Sequence, residues 1–194
     1  MGSIANAVLS CDYCNYKSTI DSLCKCLFEV ATLLHINIIR ASNEKLSINE
    51  YKYPIELCYG TVRKYTEYSS ITDITKKHGQ SISANVYFDP TTDKENINYD
   101  YFRSQLPFIK QKALDFTKDR NWVSYDTPNN LVLALNSELA ELCEIFQWIN
   151  DDKPTYNISD DQWNKAAQEI ADVLIYTLKL DRAMTVQQTS RKIL

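Results

Sequence analysis

The chain has 194 residues, 44% of them hydrophobic, with 25 acidic against 21 basic side chains and a formal net charge of −4; this suffices for one ordinary core, with or without an appendage. No Lys/Arg run is longer than a pair, so a nucleic-acid polymer is not an expected partner. No apolar run approaches about 18 residues, and the N-terminus lacks a basic region followed by an apolar core and a cleavage site, so no membrane span or leader is expected and the chain reads as cytoplasmic. Three glycines and five prolines are too few for the turns of an all-β fold, so the chain should be mostly helical.

In chain order, six cysteines stand at 11, 14, 24, 26, 58 and 143. Cys11-x-x-Cys14 and Cys24-x-Cys26 have the outline of a zinc site, but the second pair is tight and lies in an apolar run, which favours reduced, partly buried thiols. Ile20, Leu23, Leu27, Val30, Ala31 and Leu34 recur at helical spacing and predict a helix within 17–46. Residues 53–68, with Pro54, Gly60 and several aromatics, read as extended or loop-like, and 69–100, rich in Ser, Thr, Asn and Asp, as a linker. Helices are predicted at about 101–119, 128–150 and 160–186, with a break at 151–160 in which Ser159 and Gln162 form a capping box.

The second and third of these helices carry the chemistry. Leu135, Leu139, Leu142, Phe146 and Ile149 form a buried stripe, and Glu138 and Glu141 each precede a core leucine by one residue. Glu169 and Asp172 repeat the three-residue spacing on the next helix, with Tyr176 one turn further along the same face. Antiparallel packing of the two helices would gather four carboxylates around one spot. Such charges beside a core need a cation, and an all-oxygen donor set points to a hard ion, Mg²⁺ with Mn²⁺ as the alternative. Glu144 has rotated about 120° from Glu138 and in this reading stands outside the ligand set, in its outer shell or facing solvent.

Glu138-x-x-Glu141 followed by Glu169-x-x-Asp172 resembles the metal signature of the all-α, MazG-like nucleoside triphosphate pyrophosphohydrolases. Within that group the chain is most similar to the dCTP pyrophosphatases, through Arg120-Asn121-Trp122, Pro128-x-Asn130-Leu131, Phe146-Gln147-Trp148 and Asp172-Val173-Leu174-Ile175-Tyr176, over about residues 108–180. The resemblance implies an antiparallel helix bundle, a homodimer or homotetramer, and Mg²⁺ held by Glu138, Glu141, Glu169 and Asp172. It further implies hydrolysis of dCTP or a modified pyrimidine triphosphate at the α-phosphorus, with Glu138 or Glu141 also taking the water's proton. Trp122 and Trp148 would enclose the base, Tyr176 would meet sugar or base, and Asn121 and Asp126 would read the base edge. Where the family places a His on the first helix, this chain has Ala113.

The resemblance extends to the N-terminal region in an unexpected order. Residues 52–60 and 64–66 resemble the tail that follows the last helix of dCTP pyrophosphatases, and the segment from Leu23 to Ile39 resembles that last helix. The implied organisation is a degenerate end of one unit at 1–68, a linker at 69–100, and a C-terminally truncated core at 101–194. Thr19 and Ser22 stand in the first unit where Glu169 and Asp172 stand in the second. Two readings follow, an active pyrophosphohydrolase or a non-catalytic partner whose activity went with the missing tail.

Overall fold

A computed structural model describes residues 16–63, 67, 97–148 and 158–191. Regular structure among them is helical: α1 (Tyr16–Leu33), α2 (Ile38–Lys52), the single turn α3 (Ile55–Cys58), α4 (Tyr99–Asp119), a 3-10 turn (Val123–Tyr125), α5 (Pro128–Phe146) and α6 (Asp160–Arg191). Cys11, Cys14, Lys64–Thr66, most of the 69–100 segment, Ile149 and the 151–157 break lie outside the described residues.

Local side-chain chemistry sets the helix starts. Asn37, Asn98 and Thr127 accept hydrogen bonds from the backbone N–H of Arg40 (3.0 Å), Tyr101 (2.8 Å) and Asn130 (3.2 Å), each three residues on. Pro128 occupies the first position of α5, where an N–H would have no partner. Before α6 the capping box forms as its spacing predicts. Gln162 N donates to Ser159 Oγ at 3.3 Å and Ser159 N donates to Gln162 Oε1 at 3.0 Å.

α6 is the central element, and α1, α2, α4 and α5 all pack on it. Ile170, Val173, Leu174, Leu178 and Leu180 are buried at closely spaced positions, so the middle of α6 is enclosed nearly all round. The same core takes Ile20, Leu27 and Ala31 from α1, Leu46 from α2, Phe102 and Ile109 from α4, and Leu131 and Leu135 from α5. Phe28 stacks on Phe102 with ring centroids 5.1 Å apart. Polar contacts fasten the N-terminal helices as well. Asp181 of α6 receives Lys17 of α1 at 2.8 Å and Lys110 of α4 at 2.5 Å. Burial pushes the Asp181 carboxyl up, but the two lysines outweigh it and hold the group below the usual carboxylate range. No single described helix is long and apolar enough to cross a membrane.

Two sequence expectations need correction. The helix expected within 17–46 is two helices, α1 and α2, which meet at 101°. Ile36 N bonds to Ala31 O (2.7 Å) and His35 N to Thr32 O (3.1 Å), while His35 takes φ +53°. This is a Schellman end with His in the position usually held by Gly, and the unbroken apolar spacing through Leu34 conceals it. The 53–68 segment is not extended throughout, because Pro54 opens the turn α3. Gly60 follows at φ +73° and gives its N–H to Arg120 O at 2.8 Å.

His35 is exposed, so a change there acts on the backbone alone. His35→Gly is expected to raise stability by about 1 kcal/mol, or roughly 2–4 °C in Tm, and β-branched His35→Val to lower it. Thermal unfolding followed by circular dichroism measures both.

Candidate metal centre and adjoining cleft

α5 and α6 pack along one another and bring Glu138, Glu141 and Glu169 together, with one carboxylate oxygen of each within 4.8 Å of the others. Glu138 and Glu169 are half-buried, whereas Glu141 is exposed and leaves one side of the cluster open. Burial, reinforced by the charges of Asp172, Glu141 and Glu169, pushes the Glu138 carboxyl up to about 8. Glu169 is also raised, chiefly by burial, with Lys45 opposing and the charges of Asp172 and Glu141 adding to the rise. The all-oxygen donor set fits a hard divalent cation.

The fourth acid is differently occupied. Asp172 is only 7% exposed, and its Oδ2 lies 2.5 Å from Nζ of Lys45, itself 8% exposed and delivered by α2. Burial raises the Asp172 carboxyl and the ammonium pulls it back. For Lys45, burial favours the neutral form, but Asp172, Glu169 and Glu138 outweigh it and the amine stays charged. Lys45 is therefore a fixed cation at the edge of the acidic cluster.

Asp172 also borders a cleft of about 350 Å³ that extends to Tyr53, Phe116, Trp122, Tyr176, Asp126 and Lys179. Trp122 is 9% exposed; its Nε1 donates to Cys58 O at 2.9 Å, and its ring meets Tyr53 and Phe116 at 79° and 75°. Arg120, buried at the end of α4, donates from Nε to Tyr53 O at 2.7 Å. The 53–60 segment is thus fastened to one wall of the cleft. Tyr176 is half-buried, and burial raises its hydroxyl so that it remains a donor. Asp126 pairs with Lys179 at 2.8 Å. Ala113 and Arg63 also line the cleft.

Two residues expected to bind substrate stand elsewhere. Asn121 is exposed, does not line the cleft, and takes φ +56°. Trp122 N bonds to Thr117 O and Asn121 N to Lys118 O, so Asn121 fills the left-handed position of a second Schellman end, a backbone reason for its presence. Trp148 is 87% exposed and lies outside the cleft lining. Sequence reasoning missed Lys179 and Lys45. Lys179 had a signal, seven residues beyond Asp172 on the same face of α6. Lys45 had none nearby, because its partner lies in another helix. Among the described cysteines, Cys24 and Cys58 are buried while Cys26 and Cys143 are exposed, and no metal group includes any of them.

Over 76 residues, 39% of its length, the chain is 37% identical to dCTP pyrophosphatase 1 of Bos taurus and 38% identical to those of Mus musculus and Homo sapiens. It spans 45% of the length of these curated relatives. No family model matches the chain, and no solved structure does.

Glu138 binds its proton more tightly in the folded chain than in the unfolded one, so the native state carries more protons between about pH 4.5 and about 8 and stability falls with rising pH across that window. The metal-free protein should lose Tm between pH 5 and 8, and added Mg²⁺ should raise Tm more at pH 8 than at pH 6. Lys45→Met leaves Asp172 buried without its cation and should destabilise by about 3 kcal/mol at pH 8 and less at pH 5. Denaturant unfolding at the two pH values checks it.

Proposed function

We propose, from the relationship of this chain to the dCTP pyrophosphatases, that it is a divalent-cation-dependent nucleoside triphosphate pyrophosphohydrolase. Its substrate in this reading is dCTP or a related, 5-substituted pyrimidine deoxynucleotide, cleaved to the monophosphate and pyrophosphate. The observation that carries the reading is the convergence of Glu138, Glu141 and Glu169 from two helices beside an aromatic-lined cleft that Asp172 borders. These three acids would hold Mg²⁺ or Mn²⁺, with Asp172 kept next to them by Lys45. When bound, the ion supplies a Lewis acid for a phosphoryl oxygen and lowers the pKa of a water.

The chain's own side chains do the remaining work. Water attacks the α-phosphorus, the bond to the bridging oxygen breaks, and pyrophosphate leaves. Glu138, raised by burial, or Glu141, open to solvent, is placed to take the water's proton. Trp122, immobilised by its bond to Cys58 O, offers a ring face to the base, and Tyr176 offers its ring or hydroxyl to sugar or base. α5 has an exposed Leu133, which suits it to the subunit contact of a homodimer or homotetramer. The segment resembling the family's tail lies against Arg120 and Trp122 in the same chain, which supports an active enzyme over a partner dependent on an intact homologue. In this reading 1–68 is the end of one unit, serving a core that follows it.

Pyrophosphate release from a panel of canonical and 5-substituted deoxynucleoside triphosphates with Mg²⁺ tests the proposal. Cytosine nucleotides should turn over, and Glu138→Gln should lower kcat/KM by on the order of 100-fold or more. A folded, Mg²⁺-binding protein without turnover, or a Glu138→Gln variant as active as the parent, would refute it.

A further inference from the structure

We propose that the Asp126–Lys179 ion pair is the base-reading element of the cleft and selects a cytosine edge over a uracil or thymine edge; this rests on the reading of the cleft as a nucleotide site. The two side chains come from separate elements, Asp126 from the end of the 3-10 turn and Lys179 from α6. Their charged atoms meet at 2.8 Å with only 18% and 12% of each side chain exposed, and both line the cleft. An ion pair so shielded from water contributes little net stability. Its placement points to recognition.

The spacing along α6 suits a nucleotide. Lys179 follows Asp172 by seven residues, about 10 Å along the helix axis, with Tyr176 between them and all three lining the cleft. A nucleotide with its α-phosphate at the acidic end and its sugar beside Tyr176 brings the Watson–Crick edge of its base to the ion pair.

The pair has a fixed polarity. A carboxylate only accepts and an ammonium only donates. Lys179 uses one of its three N–H groups on Asp126 and has two more to give. Along its edge cytosine offers the N4 amino donor, then the N3 and O2 acceptors. Asp126 takes the amino hydrogen, and the two ammonium hydrogens meet N3 and O2. Uracil and thymine put their single donor, N3–H, between two carbonyl oxygens. If Asp126 takes that hydrogen, one carbonyl meets the ammonium and the other faces a carboxylate oxygen without a proton between them. A substituent at C5 lies off this edge, so 5-substituted cytosines are read as cytosine is.

The decisive comparison is between two pyrimidines of the same shape. Binding of the α,β-imido analogues of dCTP and dUTP, with Mg²⁺, is measured by calorimetry for the wild type, Asp126→Asn, Lys179→Met and Lys179→Arg, beside pyrophosphate release from the parent nucleotides. The wild type should favour the cytosine analogue by roughly 10- to 100-fold, and Asp126→Asn and Lys179→Met should each bring the ratio to within about threefold of unity. Lys179→Arg should retain the preference. Because the readout is a ratio within one protein, loss of folded material lowers the competent fraction for both analogues alike and leaves it unchanged. A wild type that binds the two analogues equally, or a ratio unmoved in both single variants, overturns the proposal. Cytosine-selective binding without pyrophosphate release upholds it while refuting the hydrolase reading, and absence of binding refutes both.

Discussion

Carboxylates crowded into a half-buried seam constrain everything around them. Glu138, Glu141 and Glu169 meet between α5 and α6, and Asp172 lies one turn along. Water cannot screen them fully there, so they hold protons or require cations. The cation that the described fold bonds directly to this cluster is Lys45, on Asp172, with the charge of Lys52 also acting on Asp172 and Glu169. By pairing with the most buried acid, it leaves the three more accessible carboxylates, among the described residues, free of an ion pair and open to a metal ion. The same contact fixes α2 against α6, so the electrostatics of the site and the docking of the N-terminal helices are one interaction.

The N-terminal helices take part in the same electrostatics. Residues 38–60 precede the core in sequence but build one side of the site: Lys45 reaches Asp172, Tyr53 O accepts from Arg120, Cys58 O accepts from Trp122, and Gly60 bonds to Arg120 O. A terminal segment can be attached at either end of a chain provided its docking surface survives, because the free energy of docking depends on the contacts, while the connection affects it only through loop entropy, which grows slowly with length.

α6 also sets two groups of acids in different electrostatic surroundings. Asp181 sits among two lysines, and its carboxyl is held below the ordinary range. Earlier on the same helix, Glu169 and Asp172, with Glu138 of α5, face Lys45 and the charge of Lys52, and each of the three acids is raised. Both groups are partly desolvated. The difference is the number of cations per carboxylate, satisfied at Asp181 and deficient at the seam, and a deficit of positive charge is what gives a metal ion a reason to bind.

The sequence by itself determined α4, α5 and α6 to within a few residues at the ends that can be compared, because helical periodicity and capping side chains act over one or two turns. It also determined the paired acids, since i, i+3 spacing places them on one helix face wherever the helix packs. It did not disclose the break at His35, where apolar spacing continues across the bend and no glycine marks the left-handed residue. The exposure of Trp148 in the single chain could not be read from its place in an apolar stripe, because such a stripe does not say what covers it. Lys45 and Lys179 acquire their meaning only from partners brought near by packing. Tertiary structure decided those pairings, for the physical reason that charge interactions depend on distance and desolvation in space, neither of which is encoded in separation along the chain.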